Sequence, residues 1–137
     1  MNRADLQQLS ELRINEAKTL LDAGSYPGAY YLAGYAVECA LKACIAKKTN
    51  QHDFPDKALV NSSYTHDLEK LLGVAGLAEA FEQDQKANPN LEAKWSYVKD
   101  WREESRYNAT IGKNLARDLI DAISDPNGVL VWLKNRW

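Results

Sequence analysis

The chain has 137 residues and a mass of 15.4 kDa, the size of a single domain. Hydrophobic residues make up 45% of it and charged residues 26%, a globular mixture that excludes a disordered chain, a collagen-like repeat or a long coiled coil. Seventeen Lys and Arg against nineteen Asp and Glu give a net charge of -2, which argues against a non-specific cationic DNA-coating protein. We therefore predict one globular domain over residues 1–137, on which a local basic patch can still occur.

The two cysteines and the N-terminus indicate the compartment. Cys39 and Cys44 are five residues apart, so on a helix they point about 140° away from each other and do not pair. Without nearby histidines they also form no zinc site. The first residues are polar from the start and lack the apolar core of a signal peptide. These features predict a protein of the reducing cytoplasm, with no membrane association.

Helical periodicity dominates the first half of the chain. Apolar residues over 5–23 fall on one arc of a helical wheel, and Gly24 is placed to end that helix. A second helix is predicted from Tyr26 to Ala46, with Ser25 as its cap. Its only charges are Glu38 and Lys42, so this helix must lie at the centre of the structure.

The second half predicts shorter helices separated by turn signals. Residues 47–64 are polar and irregular, which predicts a connecting loop. Helical patterns follow over 66–86 (capped at Thr65, broken near Gly73 and Gly76), from Leu91 to about Ser105, over 113–123, and in a short helix over 129–137. Together these elements predict an all-α, up-and-down bundle of four to five helices.

Motifs for phosphate loops and metal centres are missing from the sequence. The seven glycines follow neither the P-loop nor the dinucleotide-binding spacing. His52 and His66 are fourteen residues apart and lack the Glu-x-x-His pattern of di-iron bundles. We therefore expect no metal and no cofactor, and we interpret His66 as a residue that caps or packs at a helix start.

The segment over 101–108 is the best candidate for a binding site. Arg102 and Arg106 are four residues apart, so on a continuous helix both guanidinium groups lie on one face, where they suit a phosphate. Tyr107 supplies a ring for stacking and Asn108 an amide that can read a base. With Lys113, these residues are the predicted nucleotide- or RNA-binding site. The alternative is a solvated charged face formed by Glu103, Glu104 and the arginines, with Tyr107 sealing the core.

Glu38 and Lys42 allow two interpretations. They are either a catalytic acid and its partner or a structural pair that keeps helices in register. Buried charge pairs in helical bundles are more often structural, so the second interpretation is favoured.

A longer stretch of sequence resembles a known family. Residues 17–43 read AKTLLDAGSYPGAYYLAGYAVECALKA, which is similar to the pattern A..LL..G.Y..A.YLA..A.E.ALKA of the HEPN family. The similarity continues through the loop to Thr65-His66-Asp67-Leu68, and reaches the second half through helix order alone. The resemblance implies a compact bundle of four or five helices, commonly dimeric. Such bundles occur in RNA-cutting toxins, in nucleotide-binding proteins and beside minimal nucleotidyltransferases in two-component modules.

The chain departs from that family at one motif. Its active ribonucleases carry an Arg followed, after four to six residues, by a His. Counted from Arg106, those positions hold Ile111, Gly112 and Lys113; counted from Arg102, they hold Tyr107, Asn108 and Ala109. Without an imidazole beside the arginines, acid–base chemistry has no obvious donor in this segment, which argues against nuclease activity.

The sequence therefore leaves two hypotheses of function. The leading one is a homodimeric HEPN-like module of a toxin–antitoxin or defence system that binds RNA, a nucleotide or a nucleotidyltransferase partner. Many tryptophans and tyrosines for so small a domain support the dimer. The alternative is a metal-independent ribonuclease toxin in which Arg106 stabilises phosphate charge, while Tyr107 or a His from another segment transfers protons.

Overall fold

The structure, a computed structural model, describes residues 1–49, 54 and 56–137, and within these residues it is helical without a β-strand. The predicted all-α bundle is confirmed. The elements in chain order are α1 Arg3–Asp22, α2 Tyr26–Lys48, α3 Lys57–Ser62, α4 Leu68–Val74, α5 Ala78–Ala87, α6 Pro89–Lys99, a 3₁₀ helix Glu103–Tyr107, α7 Lys113–Ser124 and α8 Val129–Lys134. His52 lies outside the described residues.

Helix α2 is the centre of the bundle, as its near lack of charge predicts. Thirteen of its 23 residues are buried, and it packs against α1, α4, the 3₁₀ helix, α7 and α8. The turn before it depends on Gly24, whose φ of +80° is a left-handed conformation that side chains disfavour. Ser25 is the N-cap residue of α2, although its side chain makes no capping hydrogen bond. Buried Ser10 of α1 donates to the carbonyl of Ala36 at 2.7 Å, which joins the two longest helices.

The predicted helix from Leu91 to Ser105 is wrong at its C-terminal end. Helix α6 ends at Lys99, and Arg102 is extended, with φ -132° and ψ 147°. The reason is tertiary: Trp101 is fully buried, with its indole ring against Gly34 of α2. The chain leaves the helix to insert this ring into the core and then forms the 3₁₀ helix. With about three residues per turn there, Arg102 and Arg106 no longer share a helical face as predicted.

The start of α4 and the loop before it also differ from the prediction. Within the predicted loop over 47–64, residues Lys57–Ser62 form helix α3, whose N-cap Asp56 accepts from the amide of Ala58 at 3.0 Å. The cap of α4 is Asp67 rather than Thr65; its side chain accepts from the first amides of the helix. The Thr65 hydroxyl instead accepts from the Asp67 amide at 3.1 Å. Side chains thus fix the backbone on both sides of residue 66.

Both cysteines are free and buried. Burial is the largest influence on them, and it raises the pKa of Cys39 and of Cys44 to about 11. Because the thiolate is the reactive form, both side chains act as small apolar groups at neutral pH.

The contact between Gly34 and Trp101 gives a test of the packing. A Cβ at residue 34 would overlap the indole ring, so we expect Gly34→Ala to reduce the free energy of unfolding by about 1–3 kcal/mol, or more if the ring is displaced. Gly73→Ala is the matched control, since a Cβ there meets no atom within 4 Å and alanine favours a helix by up to about 1 kcal/mol. Urea denaturation followed by circular dichroism measures both. Equal stability of the two variants would contradict the packing.

Candidate functional site

A buried carboxylate lies at the base of the site. Glu38, in the middle of α2, is only 2% exposed, and an apolar core tolerates such a charge only when it is paired and hydrogen-bonded. Its Oε1 atom lies 2.6 Å from Nδ1 of His66. Its Oε2 atom lies 3.9 Å from Nζ of Lys42, one turn further along α2. The distance between Glu38 and Lys42 is therefore long for an ion pair, and the short contact of the carboxylate is with His66.

The imidazole of His66 is held between the core and the surface. Because an ionised carboxylate only accepts hydrogen bonds, the contact with Glu38 assigns the ring proton to Nδ1. The opposite atom, Nε2, points outward and lies 3.6 Å from Oε2 of Glu103. The side chain of His66 is about half exposed. The buried carboxylate thus fixes both the tautomer of the imidazole and its orientation, while Nε2 faces the Glu103 carboxylate.

The 3₁₀ helix places a cation next to this imidazole. Arg106 Nη1 lies 3.0 Å from Oε1 of Glu103, so Glu103 lies between the guanidinium and the imidazole. The guanidinium carbon stands 4.7 Å from the centre of the Tyr107 ring, and Tyr107 is 76% exposed. Interaction with the Tyr107 side chain, with a smaller contribution from Glu103, raises the pKa of Arg106, which therefore keeps its charge. We call His66, Glu103, Arg106 and Tyr107 the Arg106 surface.

Aromatic packing supports this surface from below. Tyr31 of α2 stacks on Trp101 and on Tyr35, each at 6.1 Å between ring centres. Two buried polar atoms lack a hydrogen-bond partner among the described residues: Nε1 of Trp101 and Oγ of Ser105. The backbone that presents Arg106 is therefore held by packing of rings against α2 rather than by side-chain hydrogen bonds from Trp101 or Ser105.

The structure gives the predicted site residues different roles. The Arg102 guanidinium donates to the carbonyls of Lys99 and Trp101 at 2.8 and 2.9 Å, which caps the end of α6, and it lies 3.9 Å from Oδ2 of Asp67. Arg102 thus holds the 3₁₀ helix near the start of α4. The side-chain oxygen of Asn108 accepts from the Thr110 amide and hydroxyl, at 3.0 and 2.7 Å, and is committed to a turn.

The last predicted residue, Lys113, is the exposed first residue of α7. No hydrogen bond or ion pair among the described residues joins it to the Arg106 surface. Of the five predicted residues, Arg106 and Tyr107 are thus the two that contact each other in one exposed surface.

The sequence did not reveal the role of His66, which was predicted to cap or pack at a helix start. Its partner Glu38 is 28 residues away, and no local pattern links the two. One signal was present: a lone carboxylate in an otherwise apolar helix requires a buried polar partner from elsewhere in the fold.

The sequence of this helical bundle matches the model of a known protein family. The HEPN domain model matches residues 5–136, so the chain belongs to the HEPN family. No curated protein and no solved structure matches it significantly. In the part of the chain that the structure describes, every helix is too short or too polar to cross a membrane.

Proposed function

We propose that this HEPN domain binds a single strand of RNA at the Arg106 surface. The observation that carries the proposal is the charged guanidinium of Arg106 lying over the exposed ring of Tyr107. Sequence-tolerant binding of single strands uses this combination, since the cation takes a phosphate while the ring stacks with a base. An exposed tyrosine beside an arginine has no comparable use in the packing of the domain itself.

Neighbouring side chains support the same proposal. His66 Nε2 and Arg106 Nη1 both contact the Glu103 carboxylate, so a phosphate in the place of that carboxylate would contact both side chains. The amide nitrogen of Asn108, next in sequence to Tyr107, and the ammonium of Lys113 would then meet flanking nucleotides. Arg102 acts as a positioning residue, because its guanidinium is used on backbone carbonyls. Since the chain as a whole is acidic, binding depends on a few phosphate contacts and weakens moderately with salt.

We expect Arg106→Ala to weaken binding of a fluorescein-labelled RNA octamer by about tenfold, because a charge-assisted hydrogen bond to phosphate is lost. Arg117→Ala is the matched control: Arg117 is a similarly exposed arginine of α7 whose contacts are with Asn114 and Asp118. Tyr107→Ala should likewise weaken RNA binding, because the stacking ring is lost. Its matched control is Tyr97→Ala, since Tyr97 is a half-exposed tyrosine of α6. Fluorescence anisotropy at two salt concentrations measures all four. Equal affinities of Arg106→Ala and Arg117→Ala would refute the proposed surface.

A second candidate function is metal-independent RNA cleavage, and the hydrogen bond between Glu38 and His66 favours it. The family motif lacks its histidine here, yet the fold brings an imidazole from the start of α4 beside Arg106. A histidine oriented at Nδ1 by a carboxylate is the usual arrangement of a general base. The imidazole that the sequence hypothesis required from another segment is therefore His66.

In this candidate reaction, Nε2 of His66 takes the proton of a ribose 2′-hydroxyl, and the 2′-oxygen forms a bond to the adjacent phosphorus. Arg106 stabilises the charge that develops on the phosphate oxygens. The bond from phosphorus to the 5′-oxygen breaks, and that oxygen gains the proton from the imidazolium through solvent. The products are a 2′,3′-cyclic phosphate and a 5′-hydroxyl end, and Glu38 holds the imidazole throughout.

This candidate predicts cleavage in EDTA by the wild-type protein, with loss of at least about a hundredfold in rate for His66→Gln, which lacks an ionisable base. Glu38→Gln should reduce the rate by a larger factor than the RNA affinity, because Glu38 acts through His66 and does not itself contact the RNA. Mass spectrometry of the products identifies the cyclic phosphate. Binding without cleavage in the wild type would leave the domain a binding module.

We also propose that the domain forms a homodimer and assembles with a nucleotidyltransferase-type partner in a toxin–antitoxin or defence module. Support for an interface comes from apolar side chains left exposed on α1 and near α3, namely Leu12, Val60 and Tyr64. Light scattering at micromolar concentration should give twice the chain mass, and Leu12→Glu or Tyr64→Glu should lower it where that side chain lies in the interface. A monomer mass for the wild type would refute the dimer.

A further inference from the structure

Glu103 occupies the position that an anionic ligand of the Arg106 surface would take. One of its oxygens lies 3.0 Å from Nη1 of Arg106 and the other lies 3.6 Å from Nε2 of His66. The neighbouring Glu104 is also acidic and is exposed, and no ion pair joins it to another described residue. Of these two adjacent carboxylates, Glu103 alone is partly buried and contacts both Arg106 and His66.

We infer that Glu103 is an internal competitor of the ligand, and this inference rests on the proposed RNA site. A phosphate that contacts both Arg106 and His66 must displace the Glu103 carboxylate. The Glu103 side chain is 23% exposed and its two partners are about half exposed, so its carboxylate can turn into solvent when a ligand takes its place.

Competition of this kind sets a threshold for binding. A tethered competitor weakens every ligand that must displace it by the same factor, whatever else the ligand contacts, so the affinity ratio between two ligands stays unchanged. Free phosphate and pyrophosphate depend on Arg106 and His66 alone, so they fall below a useful affinity first. An RNA strand also stacks on Tyr107 and still binds after the same loss of affinity.

The test compares two ligands and a cycle of variants. Pyrophosphate and a labelled RNA octamer are titrated into the wild type, Glu103→Gln, Arg106→Ala and the double variant, with Glu104→Gln as the matched control. We expect Glu103→Gln to tighten both ligands by the same factor, about three- to tenfold, which is the range of a partly exposed ion pair. Glu104→Gln should change either affinity by less than about twofold, as expected of a solvated and screened charge. With Arg106 replaced, Glu103→Gln should give no gain.

Each other outcome decides against the inference. An unchanged or lower affinity of Glu103→Gln, with Arg106→Ala still weakening RNA binding, would make Glu103 a structural partner of Arg106 and leave the proposed function intact. An equal gain from Glu104→Gln would indicate general charge repulsion rather than competition. Unequal gains for pyrophosphate and RNA would exclude simple displacement. Failure of Arg106→Ala to weaken either ligand would refute the RNA site together with its competitor.

Discussion

The structure depends on how one buried charge is satisfied. Glu38 lies in the most apolar helix of the chain, where an unpaired carboxylate would be strongly destabilising. The partner with the shortest contact is His66, at 2.6 Å, and this hydrogen bond fixes the start of α4 against α2. The same contact turns the other ring nitrogen of His66 toward the surface. A requirement of the core therefore determines the chemistry that the surface presents.

A second constraint acts on the chain beyond α6. The fully buried indole of Trp101 packs on Gly34, a residue of α2 that has no side chain to obstruct it. To reach this position the backbone leaves the helix, and Arg102 caps the exposed carbonyls. The 3₁₀ helix that follows carries Arg106 and Glu103, and Glu103 contacts both Arg106 and His66. Two residues of α2, Gly34 and Glu38, thus bring both sides of the Arg106 surface together.

Membership of the HEPN family gives this surface its context. The motif of the family's ribonucleases holds both an Arg and a His, whereas this chain has Ile111, Gly112 and Lys113 at the positions counted from Arg106. An oriented imidazole from a segment 40 residues away in sequence and the Arg106 guanidinium instead contact the same carboxylate, that of Glu103.

The sequence by itself determined the helical class, the central place of α2 and the turn at Gly24, because these depend on local backbone preference and on apolar periodicity. The pattern over residues 17–43 indicated the family by its resemblance, and the family model matches residues 5–136. The sequence also predicted a site of five residues, Arg102, Arg106, Tyr107, Asn108 and Lys113, of which Arg106 and Tyr107 contact each other. Only the tertiary structure decided that α6 ends at Lys99 and that Arg102 caps it. It also decided that His66 contacts Glu38 on one side and Glu103, the partner of Arg106, on the other. The reason is physical: the partner of a buried carboxylate and the position of a buried indole are set by side chains distant in sequence, which no local pattern encodes.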